Sequence, residues 1–421
     1  MRALGENDDA LLAKAGELCR SDAFRAALWR HHRHRAGDAS PEALSTRIHP
    51  DDQMLRHSLR YWNEVNYSVS QYFAVALQQH EAQQQLLRLA FGERAGAIDI
   101  LDFACGFGRS LRFLTQSAVR GRIWASDVQR EAVDFVVREF GVHGIYSAYE
   151  PGEFRPDRTF DFVWVASLFS HLPERLFLAW LRQLASVLPP QGVVCFSVHD
   201  ECLLAPDELL GEGGIKYVPT SEIEELDSRA YGTTHVGEAF VARAIGEAFG
   251  QARPNYVRLR RGLANEQDLY VVAKDAARDL APLRSFRKGA WGFVDRLARD
   301  AGGNFTMLGW AASLDDGPVD RVTVRLDGGA PLACTTGLAR DDVAAVLRDA
   351  RLRTSGWSFA HPVARPEVFV EVSAETAAGE SALLYAGPVR LPEAAIAERS
   401  QVSPKPRESF AARAWSWVRG R

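Results

Sequence analysis

The sequence predicts an α/β fold: a doubly wound parallel sheet, with helices before it and a small all-β sandwich after it. Three observations carry this prediction. Ile98 to Leu114 reads as a buried strand, a glycine turn and a helix. Strand-length apolar runs then alternate with amphipathic helical stretches as far as residue 274. Beyond residue 288 the pattern changes to alternating runs parted by Gly, Pro and Asp turns, as in antiparallel β structure.

The whole chain sets the bounds. Its 421 residues predict two or three domains at ~100–200 residues each, and 47% apolar residues allow a large core. A net charge of −4 carries no basic footprint, so no nucleic-acid partner is expected. No apolar run reaches the ~18 residues of a membrane span. The acidic Glu6, Asp8 and Asp9 do not read as part of a signal peptide. Cys19, Cys105, Cys195, Cys202 and Cys334 are odd in number and lack metal-ligand or redox spacing. The expected place is a reducing cytoplasm, with no metal site.

Residues 1–54 form an N-terminal helical region, with helices over Ala10–Cys19 and Ala23–Trp29. The cationic run Arg30 to Arg35 then reads as a solvated helix end or as a contact to an anionic substrate. Residues 55–276 form the α/β domain, opening on a helical stretch from Leu55 to Phe91. Tyr61, Trp62, Asn63, Tyr67 and Tyr72 on it read either as core or as a lid over a ligand. In the glycine turn Ala104 to Gly108, Gly106 and Gly108 admit backbone angles or close contacts that a Cβ forbids. Arg122 to Asp127 is a second strand ending in a carboxylate about 20 residues on, the spacing of a ribose-binding acid. Gly144–Tyr149 is the third strand and its exit, Phe160 begins the fourth, and Val193–His199 is the fifth after a helix over Trp180–Leu188. An insertion, Glu201 to Thr234, carries the acidic Glu222, Glu224, Glu225 and Asp227. Tyr231–Val236 suits a pocket wall or an edge strand, and Gln267–Ala273 closes the sheet.

Asp275 to Arg287 reads as a charged linker, and Trp291–Leu297 as a short helix. The sandwich, residues 288–392, has strands at Thr306–Leu314, Asp320–Leu326, Gly356–Pro362, Val368–Ser373 and Ser381–Leu391, with a helix at Asp341–Arg348. Residues 393–421 form a basic tail with Arg413, Arg419 and Arg421. It reads as disordered or as a contact to a membrane surface.

The run Asp102-Phe103-Ala104-Cys105-Gly106-Phe107-Gly108 resembles motif I of the class I S-adenosylmethionine (SAM) methyltransferases, with Ala104 where that family has its first glycine. Phe160 to Glu174, read FDFVWVASLFSHLPE, resembles the fourth-strand segment of the same family, and the likeness covers residues 60–274. The resemblance implies a Rossmann-like fold with SAM as cofactor. It places cofactor contacts at Asp102, Phe103, Ala104, Cys105, Gly106 and Gly108, at Asp127 and Val128, at Ala148 and Tyr149 near the adenine, and at Val165 and Ser167. Glu150 is a further candidate for the adenine amino group, and an N-terminal helical segment covers the cofactor in such enzymes. Gly309-Trp310-Ala311, Val319 to Val322 and Ser355 to Phe359 are similar to Ig-like accessory modules of bacterial envelope and glycan proteins. That second resemblance implies a module that positions a glycan, or a homodimer contact.

Transfer of a methyl group to a poorly acidic hydroxyl needs a base. His171, just past the fourth strand, and His199, at the end of the fifth, lie at the carboxyl edge where such a sheet places its site. Each also reads as a capping or core histidine, and Asp200 beside His199 suits orientation of a substrate. The favoured reading is a SAM-dependent methyltransferase acting on a hydroxyl of a saccharide or other small molecule, in polysaccharide biosynthesis. Transfer to nitrogen or carbon of a protein or lipid-like acceptor is the alternative, and a non-catalytic scaffold is the third. The Asn/Asp-Pro-Pro-Tyr/Phe signature of nucleic-acid N-methyltransferases is absent after the fourth strand, and intact Asp102, Gly106, Gly108 and Asp127 argue against the scaffold.

Overall fold

The computed structural model describes residues 6–34, 39–205, 207–220, 227–300 and 304–390. The basic tail, and Glu222, Glu224 and Glu225 of the insertion, lie outside the described residues. In chain order, α1 (Glu6–Arg20), α2 (Asp22–His31), α3 (Gln53–Trp62) and α4 (Val65–Phe91) precede β1 (Ile100–Phe103) and α5 (Leu111–Ser117). Then come β2 (Ile123–Asp127), α6 (Arg130–Phe140), β3 (His143–Tyr146), β4 (Phe162–Val165), α7 (Glu174–Ser186) and β5 (Val193–Asp200). β6 (Ile215–Val218), β7 (Thr233–Val236), α8 (Glu238–Phe249), β8 (Tyr256–Leu263) and β9 (Gln267–Ala273) follow. The C-terminal part holds β10 (Ala290–Arg299), β11 (Asn304–Ser313), β12 (Gly317–Pro318), β13 (Arg321–Leu326), β14 (Leu332–Ala333) and β15 (Thr335–Leu338). It ends with α9 (Asp341–Leu347), β16 (Gly356–Pro362), β17 (Glu367–Glu375) and β18 (Ser381–Arg390).

The chain divides into two compact units. One takes the described residues of Met1–His32, Met54–Leu77 and Lys288–Arg421, the other those of Arg33–Gln53 and Gln78–Arg287. In the second unit the strands run β3–β2–β1–β4–β5, all parallel. β1, β2 and β4 are buried along their whole length because helices cover both faces. One face packs on Leu86 and Leu87 of α4 with α5 and α6, the other on α7 and α8. β5 forks: Val193–Val198 pair antiparallel with β9, while His199 and Asp200 pair parallel with β7. Tyr231–Val236 therefore ends in a strand beside the site edge.

The stretch read as a linker belongs to this unit. Leu280 and Leu283 are buried against Leu86 and Phe91, and the Gln85 amide both donates to Arg287 O at 2.9 Å and accepts from Arg287 N at 3.0 Å. Residues 41–52 also pack here. Arg112 of α5 is fully buried, and its Nη1 donates to Ser45 O at 3.1 Å and Arg47 O at 3.0 Å.

In the first unit two antiparallel sheets, β10–β11–β16–β15 with β12 on β11, and β14–β13–β17–β18, share one core. Val294, Phe305, Met307 and Trp357 come from one sheet and Val322, Val324, Val370 and Val372 from the other. Trp291–Leu297 is a strand, not the expected helix. Its Gly292 packs so closely on β11 that a Cβ there would lie 2.2 Å from Trp310 O. Of the residues that read as core or as a lid, Tyr67 and Trp62 pack on this sandwich. Tyr67 Oη donates to Val294 O at 2.6 Å, and Trp62 stacks on Tyr67 at 6.0 Å. Trp310 and Trp357 of the segments similar to Ig-like modules are 2% and 1% exposed, too buried to stack on a sugar.

Leu283 tests where the α/β unit ends. Leu283→Ala should destabilise the protein by about 2–4 kcal/mol, since the site is closed and the lost methylenes leave a cavity. The exposed neighbour Arg284→Ala should stay within about 0.5 kcal/mol. Equal midpoints in urea for both variants would show that the segment is not packed.

Candidate functional site

The site is built on the left-handed backbone of the turn after β1. Ala104, Gly106 and Gly108 have φ of 57°, 51° and 74°. The two glycines serve different needs. At Gly108 a Cβ would fall 2.6 Å from Phe140 and 2.9 Å from Val136 of α6, so its absence lets the turn approach that helix. At Gly106 a Cβ would meet nothing within 4 Å, which leaves an open cradle for a ligand. Ala104 accepts a conformation that costs an L residue roughly 1–2 kcal/mol.

Asp127 at the end of β2 is 8% exposed and ties this turn down. Gly106 N donates to Oδ2 at 2.8 Å and Gln129 N to Oδ1 at 2.9 Å. Burial raises the Asp127 carboxyl, against those backbone donors, which favour its charged form. Asp102, 4% exposed, is pushed up to about 7 by burial and by the charge of Asp127. Among the described residues no cation balances these two buried acids, an imbalance that a positive ligand would relieve. This fits SAM, whose ammonium and sulfonium groups are cationic. Burial and the nearby Asp127 and Asp102 hold the Cys105 thiol well above its ordinary range, which disfavours the thiolate. Phe103 faces the core, edge-on to Phe154 at 5.1 Å, and Val128 is half-buried.

The other strand exits complete the edge. Ser147 N donates to Asp127 O at 2.9 Å, which sets Ala148 and Tyr149 beside the acid, with Tyr149 50% exposed. Glu150 is held at the surface by Arg175 at 3.1 and 3.2 Å. After β4, Val165 is fully buried and Ser167 has a φ of 62°. Ser167 N donates to Ser197 Oγ at 2.7 Å. Both hydroxyls then donate to Gln267 Oε1, Ser197 at 2.6 Å and Ser167 at 3.2 Å.

That pair of bonds fixes the Gln267 amide, so its NH₂ faces His199 and donates to Nε2 at 3.3 Å. His199 is half-buried, and desolvation, then the neighbouring His171 and His235, hold it well below the ordinary histidine value, which favours the neutral ring. His171 is arranged differently. Its Nδ1 lies 2.7 Å from Gly232 O, which assigns the proton to Nδ1 and the lone pair to Nε2. Its ring stacks on Tyr231 at 4.5 Å and stands 6.0 Å from His199, which is 5.3 Å from His235. Sequence reasoning named His171 and His199 but not His235 or Gln267, which join them only through the fork of β5. Asp200 is taken up by Arg258 Nη2 at 2.5 Å and by Cys202 N at 3.1 Å, a structural use rather than contact with a substrate.

On the far side of the turn His49 stacks on Phe107, 4.5 Å apart and 5° from parallel. The fold also brings His49, Asp51 and Glu131 together, with ligand-type atoms within 4.8 Å of one another, a grouping invisible in the sequence. Asp51 N donates to His49 Nδ1 at 3.2 Å.

Residues 100–192 match the family profile of the methyltransferase domain. No curated protein matches the chain. Among solved structures, a SAM-dependent methyltransferase from Clostridium acetobutylicum is 13% identical over 45% of this chain and 91% of its own, with a TM-score of 0.32. Magnesium protoporphyrin IX methyltransferase from Synechocystis is 16% identical over 51% and 94%, TM-score 0.32. A sugar N-methyltransferase from a Streptoalloteichus species is 18% identical over 47% and 88%, TM-score 0.35. None of the three carries a residue role or an acceptor over to this chain.

Two outcomes follow from the acids. Asp127→Ala should weaken SAM binding about 10-fold or more, since a charge-assisted hydrogen bond contributes roughly 1.5–3 kcal/mol. Unchanged affinity by calorimetry would remove Asp127 from the site. Asp102 has a folded pKa of about 7 against an ordinary 3.8, so its ionised form is disfavoured by folding. Ligand-free stability therefore falls as pH rises from 3.8 towards 7, and Asp102→Asn should gain stability relative to wild type across that window. SAM affinity should weaken in wild type as pH falls through 7, because the attracting charge is lost, and stay flat in Asp102→Asn. Parallel pH profiles for the two proteins would show that Asp102 does not face the ligand. Motif and family match agree over the residues they share: residues 100–192 match a methyltransferase domain, whose glycine turn fits SAM as the cofactor.

Proposed function

We propose that the chain methylates a hydroxyl of a saccharide or other small molecule, with His171 as general base. The observation that supports this is the tautomer of His171. A ring with its Nδ1 proton on Gly232 O presents Nε2 as a proton acceptor at the carboxyl edge of β4, on the loop that begins at Ser167. SAM supplies an electrophilic methyl carbon on its sulfonium. The chain's part is to hold the turn and Asp127 around the cofactor, and to take the acceptor's proton on His171 Nε2 as the oxygen attacks. Tyr231, stacked on the imidazole, keeps that ring in plane, and Thr234 ties the same loop down through its N–H to Ser170 O and its hydroxyl to Leu172 O. His199 suits the role less well, because Gln267 occupies its Nε2.

An odd count of five cysteines without ligand spacing supports a reducing, cytoplasmic setting. Among the described residues no helix is long and apolar enough to cross a membrane. We place the reaction in polysaccharide or small-molecule biosynthesis, with the sandwich as a subunit contact or a glycan-holding module.

His171→Ala should lower turnover ~10²–10⁴-fold, the usual contribution of a general base, with SAM affinity retained. Both quantities are read on one preparation, against a panel of sugars and small hydroxylated acceptors. Normal turnover would overturn the base assignment, and loss of SAM binding would make His171 a structural residue.

A further inference from the structure

The sandwich unit has a cavity of its own. In β13 the buried Val322 and Val324 alternate with Arg321, Thr323 and Arg325 on the face turned away from the core. In β17, Val370, Val372 and Ala374 alternate in the same way with Glu371, Ser373 and Glu375. The register sets Arg321 opposite Glu375, Thr323 opposite Ser373 and Arg325 opposite Glu371. Two of these rows close on themselves. Arg321 and Glu375 form an ion pair, and the hydroxyls of Thr323 and Ser373 lie 2.9 Å apart.

The third row does not close. Glu371 is 3% exposed, and the end of α2 takes it. Arg30 Nε lies 3.0 and 3.2 Å from its two oxygens, and His31 Nε2 is 3.2 Å from one of them. Arg325 is left without its cross-strand carboxylate and donates from Nη1 to Gly329 O at 2.8 Å. A merely solvated sheet face would pair Arg325 with Glu371 and leave both wet. Here α2 instead forms one wall of a half-open pocket of about 220 Å³, lined by Arg325, the Thr323–Ser373 pair, Ser381 and the Arg30–Glu371 pair. Three guanidiniums face two carboxylates, so with His31 neutral the lining carries one positive charge in excess.

We infer that this cavity binds one anionic sugar unit, a polyol ring bearing a carboxylate or a phosphate. Arg325 meets the anion, the hydroxyls of Thr323, Ser373 and Ser381 meet the ring hydroxyls, and the rim carboxylate of Glu375 accepts from them. The volume is below the ~300–1,000 Å³ of drug-sized sites, which suits a single ring rather than an oligosaccharide. The site lies wholly within the sandwich unit and does not depend on the identity of the methyl acceptor.

The test is calorimetry on the full-length protein with glucuronate, glucose 6-phosphate, glucose and inorganic phosphate. At least one anionic sugar should bind about 10-fold more tightly than both glucose and inorganic phosphate, and which one it is separates the carboxylate source from the phosphate source. Arg325→Gln should weaken that binding about 10-fold or more, Arg325→Lys should retain part of it, and SAM affinity should be unchanged in both. Thr323→Val should weaken the anionic sugar but not inorganic phosphate. Equal binding of glucose would overturn the role of the anion, and equal binding of inorganic phosphate would overturn that of the ring. Binding that survives Arg325→Gln would overturn the location, as would no binding by any of the four. Loss of SAM binding in Arg325→Gln would report a folding defect, and Arg325→Lys then decides the matter.

Discussion

The cofactor edge of this protein depends on one hydrogen bond, from Gly106 N–H to Asp127 Oδ2 at 2.8 Å. It joins the turn after β1 to the exit of β2 and holds three residues in the left-handed region, one of them Ala104. Such a conformation persists only where its surroundings over-determine it. The same bond spends an acid in a buried place beside a second acid, Asp102. Among the described residues no cation offsets either carboxylate, so the edge is unbalanced in charge. A cationic ligand would relieve that charge, and the space above Gly106 is open. Stability and affinity are thus linked through the same two side chains.

The second organising device is the fork of β5. Its first six residues are zipped to β9 and its last two to β7. At the branch Gln267 gathers Ser167, Ser197 and His199, and its amide orientation settles which nitrogen of His199 accepts. His171 is oriented from the other side, by a carbonyl of the loop leading into β7. Two histidines 6.0 Å apart are thereby held by different partners, His199 by a side-chain amide and His171 by a backbone carbonyl.

The sandwich unit repeats the lesson on a different scaffold. Its two sheets share a Val- and aromatic-rich core, and α2 adds a third layer over the outer face of one of them. Burying Glu371 there requires two partners, because a buried carboxylate with one weak contact costs more than it returns. Supplying both from α2 displaces Arg325 from its natural cross-strand neighbour. A cation facing a half-open polar space is the result.

Much of this was legible in the residues. Strand, glycine turn and helix over Ile98–Leu114, the acid at Asp127 and the closing strand at Gln267–Ala273 all follow from local backbone preference and from apolar runs of strand length. Other features were not. Trp291–Leu297 carries no clean alternation, because Ala290–Val294 of β10 are buried without a break and an apolar run of that kind does not distinguish helix from strand. The charges between Asp275 and Arg287 masked Leu280 and Leu283, whose burial depends on a helix some 190 residues earlier in the chain. The stretch of aromatics from Tyr61 to Tyr72 declared an apolar face but not its partner. By itself the sequence determined the local conformations and the ligand-facing chemistry of the turn, since those depend on φ, ψ and residue type within a few positions. Only the tertiary structure decided that Gln267 would orient His199, that Gly232 would set the tautomer of His171 and that α2 would claim Glu371, because each is a contact between segments far apart in the chain, made by strand register and helix packing rather than by local preference.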